Sequence, residues 1–151
     1  MTKYIPKRAG NLFATVQKHL YDSLRTNEIL SKDVKIFHQV PKDTAYPYIY
    51  IGKFSVISKA TKDNNRMYFV NDVHLYSQDS STEEILCWSN EIKEALNTHN
   101  VPLQGCDVVE TCFLQMTMDI MPDSRVHKVS SKFRIIIEEK NGGLQWKLSA
   151  A

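Results

Sequence analysis

The chain has 151 residues, 42% of them hydrophobic and 24% charged, with a formal net charge of +2. That is the size and composition of one globular domain, which at this length buries about 70% of the surface its unfolded chain exposes. So small a positive excess gives no argument for a nucleic-acid or membrane-surface partner, and no apolar run approaches the roughly 20 residues of a membrane span.

Residues 1–10 mix Lys3, Lys7 and Arg8 with Pro6 and Gly10, lack the apolar stretch of a signal peptide, and read as a loose arm. Leu12, Phe13, Val16, Leu20 and Leu24 then recur at helical spacing, with Gln17, Lys18, Asp22 and Arg25 facing away and Asn11 placed to cap. A short helical turn is expected over Asn27 to Ser31, capped by Thr26 or Asn27. Val34 to Val40 reads as a strand stopped by Pro41. Pro47 launches a second strand, Tyr48 to Ile57. Its alternation puts Tyr48, Tyr50, Phe54 and Val56 on one face and Ile49, Ile51 and Ile57 on the other. The polar segment Ser58 to Arg66, with Asp63-Asn64-Asn65 at its middle, is a hairpin tip. Met67 to Ser77 returns with Met67, Phe69, Val73 and Leu75 inward and Tyr68, Asp72, His74 and Tyr76 outward.

Ser81 followed by Glu84 is a capping box, and Ile85, Trp88, Ile92, Ala95 and Leu96 form an apolar stripe to about His99, where Asn100 and Pro102 end the helix. A linker follows at 101–105. Val108, Cys112, Leu114, Met116, Met118 and Ile120 then alternate with Val109, Thr111, Gln115, Thr117 and Asp119. After a turn at Pro122-Asp123-Ser124 the last strand places Val129, Phe133, Ile135 and Ile137 inward and Lys128, Ser130, Lys132 and Arg134 outward. The order predicts an α+β domain over residues 11–139. Its antiparallel sheet has about five strands, with two main helices packed on one face. Residues 140–151, with Gly142-Gly143 and Trp146, read as a flexible tail.

The chemistry of catalysis is hard to find. There is no glycine-rich phosphate loop, His-Glu-x-x-His, Cys-x-x-Cys or Gly-x-Ser-x-Gly. Three cysteines without an export signal argue for a reducing compartment; Cys87 and Cys112 read as small core residues. A metal reading would combine His99, Cys106, Asp107 and Cys112, at a spacing that matches no common finger. Asp72 and His74 share one strand face and form the one candidate His–carboxylate pair; the simpler reading is a solvated or interfacial face. Glu138 and Glu139 are adjacent on a strand, so they point to opposite faces and do not pair for acid–base work. Lys59, Lys62, Asp63, Asn64, Asn65 and Arg66 at the hairpin tip, with Trp146 of the tail, are the candidate contacts with a neighbouring subunit or partner.

The order and spacing of a few segments resemble the tail-terminator (tail-completion, tail-to-head joining) family of long-tailed bacteriophages and phage-derived particles. They are the helix Leu12 to Leu24, the turn Asn27-Glu28-Ile29-Leu30, the strand Val34 to Val40 with Pro41, and Tyr46-Pro47-Tyr48-Ile49-Tyr50-Ile51-Gly52. A long strand pair, a helix at 82–98, the turn Asp123 to His127 and the strand Ser131-Lys132-Phe133-Arg134-Ile135 complete the likeness, which spans residues 10–139. The resemblance implies a structural virion protein without catalytic residue or cofactor. It would be a hexameric ring that ends the tail tube, made in the host cytoplasm and then carried in the virion. Its implied partners are copies of itself, the tail tube protein and a head-side connector or stopper, with DNA passing unbound. The alternatives are another neck protein on the same scaffold, a monomeric ligand- or nucleic-acid-binding module, and a small enzyme built on Asp72 and His74.

Overall fold

The computed structural model describes residues 11–140; the expected N-terminal arm, and the tail beyond Lys140 with Trp146, lie outside the described residues. The elements run α1 (Leu12–Arg25), α2 (Glu28–Asp33), β1 (Lys35–Phe37), β2 (Tyr48–Ser58), β3 (Arg66–Gln78), α3 (Thr82–Leu96), β4 (His99–Pro102), β5 (Cys106–Met121) and β6 (Val126–Glu139). The strands form one curled sheet in the order β1-β2-β3-β6-β5-β4.

The α+β class holds, with two corrections. The sheet has six strands rather than five, because residues 99–102, expected to close a helix and open a linker, form β4 against Asp107, Val108 and Glu110. The helix ends at Asn97 (φ -76°, ψ 81°), so only Thr98 separates it from β4, and Asn100 within β4 takes a left-handed φ of 54°. The sheet is also mixed: β1, only three residues long, runs parallel to β2, and every other pair is antiparallel.

Helical periodicity transfers directly into packing. Leu12, Val16, Leu20 and Leu24 of α1 and Ile85, Trp88, Ile92 and Leu96 of α3 are buried with Ile49, Ile51, Phe69, Val73, Leu75, Val129, Phe133, Ile135 and Ile137 in one core. Both main helices therefore cover the same face of the sheet. Asn27 caps α2 by accepting from the Leu30 N–H at 2.9 Å, and Ser81 caps α3 by accepting from Glu84 at 3.1 Å. Asn11 stands at the start of α1 but makes no side-chain cap bond; its carbonyl accepts from Thr15 Oγ1. Gln17, expected to face away, exchanges amide hydrogen bonds with the fully buried Asn71 at 3.3 Å.

Two bulged strands change faces where simple alternation does not. The β2–β3 register shifts between Ile51 and Phe54, so Tyr48 and Tyr50 stay on the uncovered face while Phe54 and Val56 join the helix side opposite Asn71 and Phe69. In β5 the register shifts near Val109 and Leu114. Thr111 and Phe113 then lie on the helix side, and Cys112 lies on the open face beside Arg134, with 3.8 Å between guanidinium and Sγ. Cys87 is exposed, so neither it nor Cys112 is the core residue expected; Cys106 is fully buried. At the 103–106 turn, Gly105 has φ 85°, a conformation that a side chain would strain.

Candidate assembly interface

The uncovered face of the sheet carries the outward residues of β2, β3 and β6. Its chemistry follows from strand register. Tyr48 faces Tyr76 across β2–β3 and stacks on it at 5.1 Å between centroids, and Tyr46 extends the stack at 5.5 Å. Tyr50 stacks on His74 at 6.0 Å. Lys128 lies over the Tyr76 ring, and both Lys59 and Arg134 lie over Tyr68. The result is a row of tyrosines edged by cations, most of them half-buried.

Asp72 and His74 do lie together on this face, yet the geometry is that of a structural pair. His74 Nδ1 is 2.9 Å from Ser130 Oγ, and the ring sits against Gly52. Burial lowers the imidazole below its ordinary range, Lys128 lowers it further, and Asp72 opposes both. The metal reading fails on topology. Cys106 is buried toward the helices while Cys112 faces the other way, and no group of three His, Cys, Asp or Glu side chains converges among the described residues. Burial, with Asp107 alongside, pushes the Cys106 thiol up to about 11, so it stays protonated at neutral pH.

The hairpin-tip residues divide into two groups. Lys59 folds over Tyr68, and Arg66 pairs with Glu138 at 3.5 Å, so both lie along the sheet. Asn65 accepts from the Glu139 N–H at 3.0 Å through its carbonyl, and the Asn64 carbonyl accepts from Thr61. Lys62 and Asp63 are left exposed at the end. Lys140 is tied down rather than loose: its N–H donates to the Gly105 carbonyl, and its ammonium reaches Leu103 O at 2.9 Å and Asp107 at 3.3 Å. The start of the C-terminal segment is thereby held at the same end of the sheet as the tip.

Sequence reading missed the sheet edges, because pairing partners are not visible in a single strand. Among the described residues, β1 covers β2 only at Tyr48–Tyr50, which leaves the outer edge bare from Ile51 to Ser58. On the other side β4, with Thr98, covers β5 only as far as Thr111, and the edge is bare from Cys112 to Met121. Both bare stretches are apolar: Phe54 is 39% exposed, Phe113 40% and Ile120 60%.

Comparison with known proteins follows from this fold. The family described as tail completion protein gp17 matches residues 15–138. A chain of the solved structure described as "Virion of native gene transfer agent (GTA) particle" superposes with a TM-score of 0.73 at 16% identity, covering 83% of this chain and 96% of its own. At that identity the likeness is one of fold. No curated protein sequence matches the chain. Among the described residues no helix is long and apolar enough to cross a membrane.

Proposed function

The chain belongs to the tail completion protein gp17 family, and from that premise we propose that it forms a ring, of six copies, that ends the tail tube and joins tail to head. A structural role in a virion tail is the family's role. The ring, its copy number and its two partners, a tail tube protein and a head-side connector or stopper, are our reading. The match over residues 15–138 carries it. The fold supports it through what it offers a neighbour: two bare sheet edges and a tip with Lys62 and Asp63 pointing outward. Lys59, Lys62, Asp63, Asn64, Asn65 and Arg66, with Trp146, are the proposed contacts with a neighbouring subunit or partner. No catalytic residue or cofactor enters this function, and DNA passes through the ring without being held.

Light scattering behind a sizing column tests the reading, with negative-stain images of any large peak. A species near six times the 17.4 kDa chain with a central hole supports it. A monomer that also fails to cap isolated tail tubes ends it. One observation favours a second reading: the tyrosine row with Lys128, Arg134 and Lys59 over its rings has the composition of a single-strand nucleic-acid platform. An oligonucleotide shift assay at two salt concentrations separates the two.

A further inference from the structure

We propose that ring closure occurs by continuing the β-sheet from one copy to the next, with the bare edge of β5 in one protomer pairing antiparallel with the bare edge of β2 in its neighbour. This joint rests on the ring reading above and assigns its surfaces. The direction follows from topology. Three successive antiparallel pairings, β2 to β3, β3 to β6 and β6 to β5, leave β5 antiparallel to β2. Rotation about an axis along the strands preserves direction, so β5 meets the next copy's β2 antiparallel and each copy makes the same head-to-tail contact.

The register follows from what already occupies each edge. At equal height, Val56 is level with Thr111 through Phe69 and Ile135. Pairing at that height would drive the end of β5 into the neighbour's β1 and the end of β2 into β4. A step of four residues clears β4 and leaves only Met121, the last residue of β5, level with a position that β1 covers, and a step of even number keeps the helix-covered face continuous. Closed sheets of tilted strands require such a stagger. Ser58 then lies opposite Phe113, Val56 opposite Met116, Phe54 opposite Met118 and Ile51 opposite Ile120, all on the helix side. On the open side Ser55 faces Thr117, and the bulged Lys53 faces Asp119. The half-exposed Phe54, Phe113 and Ile120 gain cover in one stroke. Charge agrees along the joint: β2 brings Lys53 and no acid, and the bare stretch of β5 brings Asp119 and no base. The short strands β1 and β4 blunt the two edges at opposite ends of the sheet, like the halves of a lapped joint.

Cysteine cross-linking tests this in the full chain, with Cys87 and Cys112 replaced by Ser and with Ser55→Cys and Thr117→Cys introduced together. Within one molecule β2 and β5 are separated by β3 and β6, roughly 14 Å at strand spacing, so the two cannot bridge internally. Under oxidation the expected result is a disulfide ladder on a non-reducing gel that stops at the subunit number found by light scattering, while each single variant stops at the dimer. A ring of the expected mass that forms no ladder overturns the edge joint and leaves the ring reading standing. A chain that forms neither ring nor ladder at any concentration, and that also fails to cap isolated tail tubes, overturns both.

Discussion

Gly52 is the residue on which the bulge of β2 turns, and replacing it with alanine tests the account of that strand. A Cβ there would stand 2.8 Å from both Cδ2 and Nε2 of His74 and 3.4 Å from the Asp72 carbonyl. Ordinary carbon contacts lie at about 3.5–4.0 Å, so the imidazole must retreat by roughly 0.7 Å. Two contacts resist that movement: the 2.9 Å hydrogen bond to Ser130 and the stack on Tyr50. Losing the first costs about 0.5–1.5 kcal/mol and losing the second about 0.5–1.5 kcal/mol. The lower chain entropy of alanine returns about 0.4–1 kcal/mol. Gly52→Ala should therefore destabilise the fold by about 1–2 kcal/mol. The decisive comparison is a double-mutant cycle in urea. His74→Ala gives up the same two contacts, and in that background the new methyl meets no ring. The double variant should be more stable than His74→Ala alone by about 0.4–1 kcal/mol, a coupling of about 1–3 kcal/mol. Effects that add within about 0.5 kcal/mol would refute the reasoning, because they would show that His74 does not fill the space over Gly52.

Three other outcomes are expected. Gln17→Ala should cost about 1–3 kcal/mol, because it strands the amide of the buried Asn71; replacing both residues with leucine should be far milder in the same denaturation assay. Ser81→Ala removes the acceptor for the Glu84 N–H and should lower stability by about 0.5–2 kcal/mol, read as an earlier urea midpoint with an unchanged slope. Burial holds His19, His38 and His74 below the ordinary histidine value, with Asp22 opposing at His19; at His74, Lys128 adds to the effect and Asp72 opposes it. The unfolded chain, titrating near about 6.5, then takes up protons first as the pH falls. The stability from these groups is full above that value and lost as the pH drops toward the folded values. Urea midpoints between pH 7.5 and 5 should fall, and a rise over that window would reverse the sign.

Sequence by itself determined much of this protein. The 3.6-residue spacing of Leu12, Val16, Leu20 and Leu24, the Ser81–Glu84 cap and the alternation of Val129, Phe133, Ile135 and Ile137 are local patterns, and each produced the element expected. The order of those elements was enough to suggest the family that the chain proved to match. Tertiary structure decided the rest. Bulges near Gly52 and Val109 reversed the faces of Phe54, Val56 and Cys112, because a strand's facing depends on the pairing of its neighbour as well as on its own alternation. Four residues at 99–102 became a strand because β5 offered an edge, a propensity too weak to read alone. The bare edges themselves belong to no segment. Among the described residues they exist because β1 and β4 are shorter than the strands they cover, and hydrogen bonds left open between distant parts of a chain leave no mark on either part's sequence.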